Sequence, residues 1–258
     1  MFQDKARIIA NDRLCGNYYK LVLASKNIAK AAVPGQFVNI RVDEGLDPML
    51  RRPLSIQGVS KNHISIIYKV VGRGTEKLAG KKPGGQLDLI GPLGSGYTLT
   101  EGSVLLVGGG TGIASLLFLA AQLRQNYNAS VTVIIGAKNQ GELLCAEEFE
   151  KLGCAVKTCT DDGSLGFKGL VTGLLKQYLS ILNVHPKALY ACGPIAMLKE
   201  ISRLAGHFRI PCEVSLEEHM GCGVGACMGC VITARNGGYL RVCKDGPVFN
   251  IKEVALHE

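Results

Sequence analysis

The stretch Val104-Leu105-Leu106-Val107-Gly108-Gly109-Gly110-Thr111-Gly112-Ile113-Ala114-Ser115 passes from four apolar residues through a glycine turn into residues that suit a helix. A short apolar run bounded by glycine reads as a buried strand, and the spacing of apolar residues beyond Gly112 predicts a helix over residues 113–126. Such a unit presents free backbone amides and the positive end of a helix dipole, a setting that suits a diphosphate. Residues 104–123 carry no charge, and by hydropathy alone they are long enough for a membrane span. The glycines interrupt that run, so strand, turn and helix is the better reading. Ile113 stands where the third glycine of a G-x-G-x-x-G fingerprint belongs. No acidic residue follows the next strand, which ends Gly136-Ala137-Lys138. Both features weaken a Rossmann dehydrogenase reading.

Toward the C-terminus the same rhythm continues. Strand-like residues 131–136, 155–160, 187–191 and 212–216 alternate with helical residues 145–152, 170–182 and 194–206. This alternation predicts a parallel, doubly wound sheet. Toward the N-terminus, residues 6–99 hold short alternating segments at 19–23, 37–42, 54–59, 64–70 and 86–90, separated by turns such as Pro34-Gly35 and Pro83-Gly84. That pattern predicts an antiparallel barrel or sandwich. The expected fold class is therefore β plus α/β, with a boundary near residue 100, and 258 residues accommodate two ordinary domains.

A 47% hydrophobic and 19% charged composition belongs to a folded globular chain. The net charge of +8 is spread along the sequence with few aromatics, which argues against nucleic-acid binding. Residues 1–10 carry Asp4, Lys5 and Arg7 and lack the apolar stretch of a signal peptide, so a cytoplasmic, membrane-free location is expected. Ten cysteines in a reducing compartment are not expected to form disulfides. Cys15, Cys145, Cys154, Cys159, Cys192 and Cys212 stand alone in apolar or strand-like surroundings, as small buried hydrophobes do. His63, His185, His207, His219 and His257 are scattered and read as structural or solvated.

Cys222, Cys227, Cys230 and Cys243 form C-x4-C-x2-C-x12-C. The first three are interleaved with Gly223, Gly225 and Gly229, so the backbone can curl around a small object and donate amides to its sulfurs. This is the ligand spacing of a plant-type [2Fe-2S] cluster. A structural zinc site would also take four thiolates, but usually as two separated pairs. The segment after Glu217 is too poor in side chains to build a core alone, and a metal cluster would order it. Upstream lie Arg51-Arg52-Pro53-Leu54-Ser55-Ile56 and Ile67-Tyr68-Lys69-Val70-Val71-Gly72-Arg73-Gly74-Thr75. An arginine beside a hydroxyl can hold a phosphate, an aromatic can stack on a flavin, and Gly74 with Thr75 can donate to a diphosphate. On physical grounds the same residues also read as a strand end and a turn.

The order Arg52-Pro53-Leu54-Ser55, Gly72-Arg73-Gly74-Thr75, Gly108-Gly109-Gly110-Thr111-Gly112, Cys192-Gly193-Pro194 resembles the ferredoxin reductase family. Residues 215–230 and 242–248, together with Thr160-Asp161-Asp162-Gly163-Ser164 and Lys168-Gly169, resemble the electron-transfer subunits of NAD-dependent, class 1B dihydroorotate dehydrogenases. The likeness spans nearly the whole chain, with His219 in place of the usual arginine and Gly221 and Gly229 in place of common alanines. It implies an FAD-binding barrel at residues 1–100, an NAD-binding α/β domain at 101–216 and a [2Fe-2S] region at 217–258. It implies FAD at Arg52, Pro53, Leu54, Ser55, Ile67, Tyr68, Lys69, Gly74 and Thr75. It places the nicotinamide dinucleotide at Gly108, Gly109, Gly110, Thr111, Gly112, Cys192, Gly193 and Pro194. Cys192 also reads as a strand-end core thiol, and Lys138 alone does not argue for NADP over the NAD the family implies.

A nicotinamide exchanges hydride and an iron–sulfur cluster single electrons, so a flavin must stand between them. The expected function is an electron-transfer subunit serving the FMN-bearing dihydroorotate dehydrogenase catalytic subunit in pyrimidine biosynthesis, in a heterotetramer of two of each. No acid/base pair is needed on this chain. The same cofactors would serve a reductase subunit of a ferredoxin-NADP transhydrogenase, sulfide dehydrogenase or hydrogenase complex. A zinc-stabilised scaffold would be colourless.

Overall fold

The computed structural model describes residues 1–256, and His257 lies outside the described residues. The chain divides into two units. One comprises Met1–Gly96, Glu217–Ile232 and Tyr239–Pro247; the other comprises Tyr97–Leu216, Thr233–Gly238 and the chain from Val248 onward.

The first unit begins with β1 (Phe2–Cys15), β2 (Tyr18–Ala24) and the short helix α1 (Lys26–Ala31). Then come β3 (Phe37–Arg41), β4 (Arg52–Ser55), β5 (Gly58–Ser60), β6 (His63–Lys69), α2 (Arg73–Ala79) and β7 (Gln86–Leu93). These strands make an antiparallel sheet of order β4-β3-β7-β1-β2-β6-β5. The long strand β1 curls the sheet. Its first part, Phe2 to Arg7, pairs with β7, and Arg7 to Cys15 pairs with β2 across two irregularities in register. Such bulges bend a strand and increase its twist. Leu21, Leu23, Ile40, Ile64, Ile66 and Leu89 fill the interior.

The sequence pattern does not reveal β1, because only Ala6 and Ile8 of its fourteen residues are buried and charges occupy much of the rest. Of residues 67–75, which also read as a strand end and a turn, the strand end is present and the rest leads into a helix. β6 stops at Lys69, and Arg73 opens helix α2. Thr75 Oγ1 accepts the Val71 and Gly72 amides and donates to the Gly72 carbonyl, which fixes the helix start. A helix of seven residues is too short to show a 3.6-residue period. Asn11 Nδ2 donates to the Leu78 and Lys81 carbonyls at its other end, while Asn11 Oδ1 accepts from Tyr68.

The second unit contains β8 (Ser103–Gly109), α3 (Gly112–Asn126), β9 (Ser130–Ala137), α4 (Ala146–Lys151), β10 (Ala155–Thr160) and β11 (Phe167–Lys168). It continues with α5 (Val171–Ser180), β12 (Ala188–Cys192), α6 (Ile195–His207) and β13 (Cys212–Ser215). The chain then forms a small hairpin, β14 (Val231–Thr233) with β15 (Tyr239–Arg241), and ends with β16 (Val248–Asn250). The sheet order is β11-β10-β9-β8-β12-β13-β16. Its pairings are parallel except for β16, which lies antiparallel on β13 at the edge. That last strand comes from beyond the cysteine-rich segment and is too short to register in an alternation pattern.

The apolar stretch at residues 104–123 is β8, a turn and most of α3. Helix α3 buries Ile113, Leu116, Leu119, Ala120 and Leu123, so it is a core helix of the sheet. Among the described residues no helix is long and apolar enough to cross a membrane. Cys145, Cys154, Cys159, Cys192 and Cys212 are buried and Cys15 is half-buried. His185, His207 and His219 are exposed, with the first two against Phe208, and His63 is half-buried.

Candidate functional site

In the cysteine-rich loop the backbone turns its amides onto sulfur. Cys222 Sγ accepts from the amides of Val224, Ala226 and Cys227 at 3.4, 3.3 and 3.4 Å. Cys227 Sγ accepts from the Cys222 and Gly229 amides at 3.5 and 3.4 Å. Cys243 Sγ takes the Gly225 amide at 3.1 Å, and Cys230 Sγ takes the Cys243 amide at 3.4 Å. Every one of the four sulfurs is thus met by at least one N–H dipole, which favours thiolate and the negative charge of a cluster. At Cys222 burial works to raise the pKa, but the Val224, Cys227 and Ala226 amides outweigh it and the thiol is lowered to about 6. At Cys243 burial, then hydrogen bonding to Cys230, raises the pKa to about 12.

Among the described residues no three His, Cys, Asp or Glu side chains converge as ligands of a single ion do. A [2Fe-2S] cluster takes four thiolates shared between its two irons. The residues present fit such a cluster.

Three residues that spacing alone did not point to hold this loop. Arg241 donates to both carboxylate oxygens of Asp245, at 3.0 and 3.1 Å, and to the Gly225 carbonyl at 3.0 Å. These two flank Cys243 and lock the second cysteine segment onto the first. Asn39, on β3, donates to the Cys222 carbonyl at 3.4 Å across 183 residues of sequence. The Ser95 amide also donates to the Gly246 carbonyl at 2.6 Å, tying the end of the loop segment to the strand of the same unit that ends at Leu93. A Cβ added at Gly221 or Gly229 would sit 3.3 or 3.4 Å from Cys227 Sγ, so these two glycines leave that sulfur open.

On the curled sheet the two adjacent arginines part. Arg51 is structural: it pairs with Asp88 Oδ2 at 2.7 Å and donates to the Asp88 carbonyl at 2.9 Å. Burial of Asp88 opposes ionisation, but Arg51 and Gln3 prevail and its pKa is lowered. The Arg52 guanidinium instead lies flat over Gly74, where any Cβ would collide with it. This close approach joins the first β4 residue to the first turn of α2, and it requires glycine. Pro53, Leu54 and Ser55 are half-exposed beside Arg52. The Tyr68 ring is buried and stacked on Tyr19 at 5.6 Å, so it is not available to stack on a flavin. Among the described residues β6 has no strand partner on the β5 side beyond Ser65, so the main chain of Ile67, Tyr68 and Lys69 is what a ligand would meet there. The Lys69 ammonium is engaged with Tyr18, and the Thr75 hydroxyl with its own helix start. Gly74→Ala is therefore expected to displace Arg52 without unfolding the protein. Flavin affinity should fall about tenfold, the scale of one charged hydrogen bond, as read by flavin content after dialysis.

In the second unit the strand order reverses between β8 and β12: β9, β10 and β11 extend from β8 on one side, β13 and β16 from β12 on the other. Ligands of open α/β sheets bind outside the carboxyl ends of the strands at such a switch point. Both predicted glycine motifs lie there, with Cys192 paired to Gly108. The structure assigns them different tasks. A Cβ at Gly108 would enter Ile113, at Gly109 would approach Met197 Sδ at 2.9 Å, and at Gly112 would lie 2.5 Å from the Cys192 carbonyl carbon. These three make close packing. Gly110, with φ +57°, has open space before it, and Thr111 caps α3 without a side-chain hydrogen bond. Gly193 packs on Met197, Cys192 is buried, and Pro194 stands exposed at the start of α6.

A family model described as the iron-sulfur cluster binding domain of dihydroorotate dehydrogenase B matches residues 217–255, and an oxidoreductase NAD-binding domain model matches residues 106–203. The chain is 43% identical over 251 residues to the dihydroorotate dehydrogenase B (NAD(+)) electron transfer subunit of Desulforamulus reducens, covering 95% of each chain. The chain belongs to the family of dihydroorotate dehydrogenase B electron-transfer subunits. The subunit of Shouchella clausii is 40% identical over 263 residues, with 98% of each chain covered. A solved structure of an NADH-dependent reduced ferredoxin-NADP oxidoreductase superposes with TM-score 0.88 and 32% identity, over 98% of this chain and 90% of that one. A cytochrome P450 reductase from Amycolatopsis, at 18% identity and TM-score 0.69 over 81% of this chain and 67% of that one, shows the shared ferredoxin-reductase-like fold. As a member of this family the chain is an oxidoreductase subunit for electron transfer.

Proposed function

We propose that this chain carries electrons from the dihydroorotate-oxidising subunit to NAD+ through a [2Fe-2S] cluster and FAD, in pyrimidine biosynthesis. The observation that carries the reading is the loop in which seven amides point at the four sulfurs of Cys222, Cys227, Cys230 and Cys243. Arg52, Pro53, Leu54 and Ser55, with the main chain of Ile67, Tyr68, Lys69, Gly74 and Thr75, would hold FAD. Gly110 and Thr111 would meet the dinucleotide diphosphate at the α3 N-terminus. Gly108, Gly109 and Gly112 would set the turn, and Cys192, Gly193 and Pro194 would wall the site on the β12 side. When bound, the flavin supplies the exchange between hydride and single electrons that neither nicotinamide nor cluster performs alone. The chain's own residues position and tune: amides stabilise anionic sulfur, and Arg52 offers fixed positive charge to phosphate.

The partner is the FMN-bearing dihydroorotate dehydrogenase catalytic subunit, in a heterotetramer of two of each and in the cytoplasm. Its docking face is the tip of the cysteine loop, where Cys227 is exposed beside Val224 and Met228, which are 38% and 50% exposed. Oxidising one dihydroorotate to orotate releases two electrons and two protons; NAD+ takes both electrons and one proton as hydride. Anaerobic co-purification with that subunit should therefore yield orotate and NADH in equal amounts. A flavin- and iron-loaded protein that never couples to dihydroorotate would overturn the reading. That result would favour the reductase seen in the superposed ferredoxin-NADP oxidoreductase, which shares nearly the full length of this chain.

A further inference from the structure

Asn39 stands in the middle of β3, paired with Pro53 on one side and Ile90 on the other, and it is 1% exposed. Its strand neighbours Phe37, Val38 and Ile40 are all buried apolar residues. Its Nδ2 donates to the Cys222 carbonyl, while its Oδ1 has no partner among the described residues. A half-satisfied amide at such burial costs stability, and an apolar residue would be cheaper at this position. Local rules broken without a packing gain mark functional positions. The contact is matched from the loop side. Gly223 has φ +71°, and any Cβ there would run into Asn39 Nδ2. Loop and strand are thus shaped to each other at the residue next to a cluster ligand, on a strand that pairs with Arg52-Pro53-Leu54-Ser55.

We propose that Asn39 is a positioning residue that fixes the Cys222 segment of the cluster loop to the strand pair β3–β4, and so sets the geometry for electron exchange between cluster and flavin. The inference rests on the proposed cofactors. Asn39 touches no reacting atom. It acts through the carbonyl of Cys222, holding the first ligand of the loop in register with the flavin-binding strand. Leu in its place would keep the core but lose the tether; Asp would set a carboxylate against the Cys222 carbonyl.

The test uses the complex with its catalytic subunit, comparing wild type with Asn39→Leu, Asn39→Asp and Gly223→Ala. Flavin and iron contents are measured first. The electron paramagnetic resonance spectrum of the reduced cluster is then recorded, and flavin and cluster reduction by NADH are followed separately by rapid mixing. Asn39→Leu is expected to retain both cofactors and wild-type flavin reduction. Its cluster signal should broaden or shift, and cluster reduction should slow about tenfold, the population change that loss of one tethering hydrogen bond brings. Gly223→Ala should reproduce the spectral change from the other side of the contact. An unchanged signal and cluster-reduction rate in either variant that retains its cofactors overturns the proposal. If both lose iron while the sheet still binds flavin, Asn39 only holds the loop together and does not set the geometry for electron exchange, which also overturns the proposal. A wild type that contains neither flavin nor iron would instead sink the cofactor reading, a result separable from indifferent variants in a loaded protein.

Discussion

Cys227→Ser is expected to abolish the visible absorption of the cluster and NADH formation from dihydroorotate, while flavin remains bound and NADH still reduces artificial two-electron acceptors. Cys227 is the exposed one of the four proposed ligands, so its replacement removes a thiol without opening a core cavity. Two amides, those of Cys222 and Gly229, would be left facing a hydroxyl that binds iron poorly. Changes one shell further out already cost about 10–100-fold in metal affinity or activity, so loss of a ligand should cost more. The split between the two activities is the informative result, since a general folding defect would lower both. Iron and sulfide assay with parallel diaphorase kinetics decides it. Full cluster content in the variant would show the ligand set to be wrong.

Gly112→Ala should be the most damaging small change in the nucleotide unit. The added methyl would sit 2.5 Å from the Cys192 carbonyl carbon and 2.7 Å from the Gly193 nitrogen. Both are backbone atoms of the adjacent strand end and cannot swing aside as a side-chain tip can. Overpacking of this kind costs about 1–3 kcal/mol, and here the strain falls on the β8 turn and the end of β12 together. Thermal stability is expected to drop by several degrees, and NADH affinity about tenfold or more, since the proposed diphosphate site shares that turn. Gly110→Ala is the internal comparison. Nothing lies within 4 Å of its Cβ position, though its φ of +57° carries a backbone cost of about 1–2 kcal/mol. It should weaken NADH binding without the packing defect at Cys192. Equal stability and equal KM for Gly112→Ala and wild type would contradict the packing role.

Features recorded by chemistry close in sequence were legible early. The four cysteines lie within 22 residues of one another, and their spacing already specified a cluster loop. The β8 turn and the helix after it follow from glycine and apolar periodicity, and so does the alternation that makes the second sheet parallel. Elements with weak periodicity escaped: β1, which is largely solvent-facing, the seven-residue α2, and β16, which pairs antiparallel only after the chain has passed through the cysteine loop.

Within the candidate site the same division holds. Residue types and order placed Arg52, Gly74, the β8 glycines and the cysteines, because each answers to a local requirement for charge, absence of a Cβ, or a ligand sulfur. Spatial neighbours assigned their tasks. Arg51 is committed to Asp88 and Arg52 is not; the Tyr68 ring belongs to the core; Gly112 packs tightly against the end of β12. Asn39 reads in sequence as one polar residue in an apolar strand, and its partner lies 183 residues away. By itself, then, the amino-acid sequence determined the fold class and the kind of redox centre, since periodicity and ligand spacing are properties of consecutive residues. Which side chains hold that centre in place was decided only by the tertiary structure, because a hydrogen bond between distant segments depends on how the strands pair and carries no signature along the chain.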